Sequence, residues 1–209
     1  AENLIRDCKD CQVWSRVFNP AYGTMIERNH QTKPWGTPEM GEFLSLAMDR
    51  AKMAKVAYQG WDVPAKGLFP PGTGWEMPYD IVKTVPGFNI EDPEGNKAKA
   101  RELLAKMGYK PNELELNLTV VTWMQPALPV LVEDLTAAGL KVNPKIKDNA
   151  TNYELLGSGD FTVALMAYGG NNATKEIGMA EHFATGSERN YSRYSNPQVD
   201  KLLDQMTAE

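Results

Sequence analysis

Apolar residues along the chain recur with two different periods, and the elements follow from where each period holds. From Leu114 to Thr122 the apolar positions Leu114, Leu116, Leu118 and Val120 alternate with polar neighbours, which predicts a strand. Phe161–Tyr168 is β-prone through Val163-Ala164-Leu165-Met166, and Leu140–Ile146 also reads as extended. Between these runs the spacing becomes helical. Ala127–Ala138 is a helix that stops at Gly139, and Thr151-Asn152-Tyr153-Glu154 has the form of a capping box ahead of a short helix. Upstream, Thr37-Pro38-Glu39 opens a helix with Met40, Phe43, Leu44, Ala47, Ala51 and Ala54 on one stripe and Gly60 as its stop. Asp92-Pro93 opens another, carrying Ala98, Leu103, Leu104 and Met107 and ending at Gly108. Asn196-Pro197 opens the last, with Val199, Leu202, Leu203 and Met206 on one face. Residues 1–12 read as a short polar helix, and Gln12–Phe18 and Gly23–Asn29 as extended. Residues 60–90, rich in Pro and Gly with Trp61, Phe69, Trp75 and Tyr79 interspersed, read as an ordered surface wrap. Strand–helix–strand–helix–strand at this spacing predicts an α/β fold with a parallel layer and right-handed crossovers.

Composition narrows the function classes. The chain has 209 residues, 42% of them hydrophobic and 23% charged, a globular balance rather than a disordered one. Its net charge of −5 argues against nucleic acid or an acidic membrane as a partner held by bulk electrostatics. No apolar run reaches bilayer-spanning length, and no basic-then-apolar leader of a signal peptide is present. The last residues fall inside a helical pattern, so the expectation is a piece of a longer protein. Cys8 and Cys11 form a Cys-x-x-Cys that fits a short-loop disulfide or two incidental thiols. With only His30 and His182 as imidazoles, far apart in sequence, no metal set is expected.

Catalytic signatures are missing from the sequence. It contains no Gly-x-Ser-x-Gly, no phosphate-binding Gly-x-x-x-x-Gly-Lys-Ser/Thr and no Gly-x-Gly-x-x-Gly, and no carboxylate pair stands out by its spacing. An enzyme is not expected, and no cofactor is implied. In open α/β sheets ligands sit beyond the carboxyl ends of the strands. Two such ends are Thr122-Trp123-Met124-Gln125-Pro126, at the close of the first predicted strand, and Tyr168-Gly169-Gly170-Asn171-Asn172, at the close of the third. Each joins an aromatic to an amide, apolar area beside fixed hydrogen-bonding groups, and the glycines let backbone approach a ligand. Trp123 serves equally well as a core or lobe-contact residue, and Gly169-Gly170-Asn171 as a plain turn.

Several blocks in order resemble the family 5 extracellular solute-binding proteins of ABC importers, the peptide/nickel/opine type. They are Asn29-His-Gln-Thr-Lys-Pro34-Trp35 with Ala47-Met48-Asp49-Arg50; Tyr58-Gln59-Gly60 with Pro64-Ala65 and Phe69-Pro70-Pro71; Asp92-Pro93 through Leu103-Leu104 to Gly108-Tyr109; Leu135 through Gly139-Leu140-Lys141-Val142; Gly159-Asp160-Phe161; and Asn190 through Tyr194-Ser-Asn196-Pro197 to Asp200. The resemblance implies one lobe of a bilobal receptor of the type II periplasmic-binding-protein kind, its parallel or mixed sheet flanked by helices. Residues 1–28 would approach the hinge, and residues 29–209 would form the second lobe (domain III), truncated at both ends.

The same resemblance implies capture of a small solute, a peptide, an oligosaccharide or similar, and its delivery to a membrane permease by a monomeric periplasmic or extracellular protein. A ligand-presenting sensor on the same fold is the alternative, with an α/β hydrolase behind it. The family's ligand-facing loop falls on Trp123-Met124-Gln125, without the Arg that dipeptide receptors carry there. The family's Trp-x-x-Asp falls on Tyr168-Gly169-Gly170-Asn171, where the acid is an amide. Glu27 falls where some oligopeptide receptors place a ligand-facing Glu. With both charged clamps missing, the expected ligand is a neutral polar solute or a peptide held through its backbone, because a charged end buried without a counter-charge costs several kcal/mol.

Overall fold

The computed structural model describes residues 23–57, 77–168 and 175–208. The expected elements at 1–12 and Gln12–Phe18, the Cys8–Cys11 pair and most of the 60–90 wrap lie outside them. Four strands form one sheet: β1 (Gly23–Arg28), β2 (Glu115–Val121), β3 (Lys141–Lys147) and β4 (Val163–Tyr168), in the order β1-β4-β2-β3. β2 pairs in parallel with both β3 and β4, whereas β1 runs antiparallel to β4. The sheet is therefore mixed, a parallel layer with an antiparallel edge. β3 forms the opposite edge, and Pro144 together with Lys141, Lys145 and Lys147 suits it to that place, since proline and lysine discourage further strand pairing.

One face of the sheet carries the main core. Leu116, Leu118 and Val120 of β2 and Val163 and Leu165 of β4 pack with helices α1 (Pro38–Ala47), α4 (Pro93–Lys106) and α5 (Leu128–Ala137) through Met40, Phe43, Leu44, Leu104, Leu131 and Leu135. The other face is smaller. Ala164 and Met166 meet Leu156 of α6 (Asn149–Ser158), with Phe161 and Tyr191 beside them. The remaining helices are α2 (Arg50–Ala57), a single turn α3 (Tyr79–Val82), α7 (Lys175–Phe183) and α8 (Pro197–Ala208).

The stop signals behave as expected: Gly108 and Gly139, which follow α4 and α5, take φ of 88° and 107°. Thr37 caps α1, its Oγ1 accepting from the Met40 N–H at 3.3 Å. Thr37→Ala is expected to lower stability by about 0.5–2 kcal/mol, as a shifted urea midpoint at unchanged slope would report.

Two expectations need correction. The helix predicted to run from Thr37 to Gly60 breaks at Met48-Asp49, because Asp49 caps a new helix: its Oδ1 accepts from the Lys52 N–H at 2.8 Å. Its own N–H donates to Asp134 Oδ2 at 2.9 Å. The cap of α6 is Asp148 rather than Thr151, for the Asp148 carboxylate accepts from both Thr151 N (3.1 Å) and Thr151 Oγ1 (2.7 Å). These backbone and hydroxyl donors hold its pKa below the usual value.

Several residues of the resemblance blocks turn out to be fasteners. Asn29 Nδ2 donates to the carbonyls of Gly159 (2.9 Å) and Phe161 (3.1 Å), tying the end of β1 to the turn before β4. The Arg50 guanidinium donates to Ser45 O (2.9 Å) and Gly87 O (2.6 Å) and lies over the Phe88 ring at 4.1 Å. Burial pulls its pKa down to about 10.

Candidate functional site

β2 and β4 point the same way, so their carboxyl ends reach one edge of the sheet, and β3 adds a third end there. Beyond β2 the chain makes a 3-10 turn over Thr122–Ala127. Met124 and Ala127 of this turn are buried in the core, which holds the exposed Trp123 and Gln125 outward. Trp123 keeps 56% of its surface in solvent, so the core reading of this residue does not hold. Its indole Nε1 donates to Asn149 Oδ1 at 3.0 Å, and Thr122 Oγ1 donates to Lys147 O at 2.9 Å. Two hydrogen bonds thus clamp the turn to the end of β3 and the start of α6.

At the neighbouring end, β4 finishes at Tyr168, whose backbone pairs with Gly23 of β1. The side chain of Tyr168 and all of Gly169, Gly170 and Asn171 lie outside the described residues. Glu27 sits elsewhere. It is opposite Ala164, four register positions from Tyr168, so about 13 Å from the carboxyl edge at roughly 3.3 Å per residue. Only 9% exposed, Glu27 lies on the sheet face of Ala164 and Tyr191 rather than on the main-core face of Ile26. Tyr191 in turn lies 6.3 Å, ring to ring, from Tyr153, and its hydroxyl pKa is pushed up by burial first, then by Tyr153, with Glu27 a smaller influence. Trp123, Gln125 and the end of β4 are thus brought to one edge, and Glu27 is not brought with them.

Asn149 is the candidate edge residue not named from sequence, whereas Thr122 belongs to the strand end read there. The available signal was positional: a third parallel strand must end on the same edge, and Asn149 is the second residue after it. Two clefts are also present, the first reaching Lys147 at the end of β3. One of about 380 Å3 is lined by Asn117, Thr119, Lys145, Leu155 and Asp160 over β2 and β3, and one of about 340 Å3 by Glu42, Lys83, Asn96 and Lys99. Neither is lined by Trp123 or Gln125. Among the described residues no three His, Cys, Asp or Glu side chains group to hold a metal ion, and no helix is long and apolar enough to cross a membrane.

The model of bacterial extracellular solute-binding proteins, family 5 (middle part), matches residues 7–190, and the chain belongs to that family. Among curated relatives, a probable di/tripeptide-binding protein 5 of Pseudomonas aeruginosa is 27% identical over 199 residues, covering 88% of this chain and 34% of its own length. The glutathione-binding protein GsiB of Escherichia coli is 31% identical over 197 residues, covering 86% of this chain and 35% of its own. The chain therefore spans about a third of the length of these relatives. Among solved structures, the murein tripeptide binding protein MppA of Escherichia coli superposes with a TM-score of 0.83 at 23% identity, covering all of this chain and 40% of that one. A mannohexaose-bound oligopeptide-binding protein from Thermotoga maritima gives 0.78 at 21% identity, covering 97% of this chain and 42% of that one. These likenesses show the fold, that of part of a periplasmic binding protein, as the resemblance implied.

Proposed function

We propose that this chain is the second lobe of an extracytoplasmic solute-binding protein that captures a small peptide between two lobes and delivers it to the membrane permease of an ABC importer. The observation that carries the reading is the parallel pairing of β2 with β4, which puts Trp123 and Gln125 at the edge where the chain leaves β4 for Tyr168–Asn171. Trp123 and Tyr168 supply aromatic area; Gln125, Asn171 and the backbone of Gly169 and Gly170 supply neutral hydrogen-bonding groups. Glu27, set back on the sheet, would meet only a part of the ligand that reaches past this edge. Neutral donors and acceptors suit the amide groups of a peptide backbone, and the names of the curated relatives favour peptides over sugars. The protein works as a monomer on the outer side of the cytoplasmic membrane, by closure of the lobes about their hinge, with no chemical step.

Calorimetric titration of the full-length protein with tripeptides, glutathione and mannohexaose tests this. Saturable binding of at least one peptide, at lower Kd than mannohexaose, is expected. Binding of the oligosaccharide alone would overturn the peptide assignment, and steady turnover of any peptide would overturn the binding-protein reading.

A further inference from the structure

We infer that Asn149 is a further ligand-side residue of this site: its carboxamide oxygen fixes the Trp123 indole, and its NH2 group donates to an oxygen of the bound peptide. The inference rests on the proposed function for its ligand but on geometry for its position. β2 is followed by α5 on the main-core face of the sheet, and β3 by α6 on the opposite face. Adjacent parallel strands whose connections leave on opposite faces open a crevice between their carboxyl ends, where α/β proteins bind ligands. The Trp123–Asn149 hydrogen bond spans that crevice, with the Thr122–Lys147 bond beneath it.

The orientation of the Asn149 amide follows from chemistry. An indole N–H can only donate, so the atom 3.0 Å from it must be the amide oxygen. Both N–H bonds of Asn149 Nδ2 are then left over, and no partner among the described residues takes them. Helix capping does not claim the side chain, since Asp148 performs that role through Thr151. An exposed amide therefore holds two unused donors beside an exposed indole, at the mouth of the crevice. Backbone carbonyls of a peptide are the matching acceptors, and the indole supplies apolar area next to them.

Two substitutions separate the two roles. Asn149→Asp keeps an acceptor for the indole but removes the NH2 donors; Asn149→Leu removes both. Hydrogen exchange of the Trp123 indole N–H, assigned by its disappearance in Trp123→Phe, reads the positioning role in the full-length protein. Glutathione and trialanine affinities read the contact. Asn149→Leu is expected to speed indole exchange at least threefold, while Asn149→Asp leaves it within twofold of wild type. Both are expected to weaken peptide binding at least tenfold with no loss of melting temperature. Wild-type exchange in Asn149→Leu would overturn the positioning role, and wild-type affinity in both variants would overturn the contact. A wild-type protein that binds neither peptide would contradict the proposed function and, with it, the contact; the exchange readout would still decide the positioning.

Discussion

Asp134→Ala is expected to lower the stability of this lobe by about 3–5 kcal/mol, the cost of breaking a buried ion pair and stranding one partner. The Asp134 side chain on α5 is 1% exposed, and Lys97 Nζ of α4, itself 9% exposed, lies 2.9 Å from its Oδ1. The contact is ionic rather than a well-directed hydrogen bond, as Oδ1 has no donor aligned on it. Oδ2 accepts the Asp49 N–H at the break between α1 and α2, and Lys52 Nζ stands 3.7 Å from Oδ1. One carboxylate thus joins α5, α4 and the α1–α2 corner.

Burial disfavours the charge on Lys97, but the contact with Asp134, helped by Glu94 and Asp49, outweighs it and raises its pKa above 10.5. A raised folded value means that the lysine's share of the pair is complete below pH 10.5 and fades only as pH climbs through the higher folded value. At pH 7 the loss is therefore undiminished, and for a domain of this size it corresponds to roughly 6–20 °C in Tm. Asp134→Leu combined with Lys97→Met is expected to recover part of it, because an apolar pair leaves no stranded charge although the Asp49 N–H loses its acceptor. A single variant within 1 °C of wild type would contradict this account of the junction.

The same residue shows why sequence reading reached some features and missed others. The alternation Leu116, Leu118, Val120 and the stops at Gly108 and Gly139 are local signals, and each lies where the structure puts a strand or a helix end. The break at Asp49 is only partly local. Helical spacing runs through it from Ala47 to Ala51 and Ala54, and what favours the break is the Asp49 cap on the Lys52 N–H together with an acceptor 85 residues away on α5. α7 went unread because no proline follows Thr174 to mark its start, as one follows Thr37, Asp92 and Asn196 at the starts of α1, α4 and α8.

The site divides along the same line. Trp123 and Gln125 could be read because they follow a well-patterned strand, and position after a strand end is a sequence property. Asn149 also follows a strand end, but β3 is less cleanly patterned, and the hydrogen bond that links it to Trp123 joins two strand ends and leaves no local signal. Glu27 came from resemblance alone, and nothing local in Gly23–Asn29 says how far along the sheet it sits. Only the antiparallel register with β4 sets it about 13 Å back from the edge, at roughly 3.3 Å per residue.

The second large effect is on binding. Trp123→Ala in the full-length protein is expected to weaken peptide affinity by about 1–3 kcal/mol, or roughly 5- to 150-fold, the loss of an aromatic anchor at a ligand wall. Stability should hardly change, for the side chain is 56% exposed and the turn that bears it is anchored by the buried Met124 and Ala127. A core tryptophan would behave in the opposite way, losing about 3–5 kcal/mol of stability on truncation. Gln125→Ala, exposed on the same turn, is expected to follow the same pattern with a smaller loss of affinity.

The most direct test of the carboxyl edge as the ligand wall is the pair of values, peptide Kd and Tm, measured for Trp123→Ala beside wild type. A Kd raised 5- to 150-fold with Tm within about 2 °C is the predicted result. An unchanged Kd with a lowered Tm would contradict it and return Trp123 to a structural role.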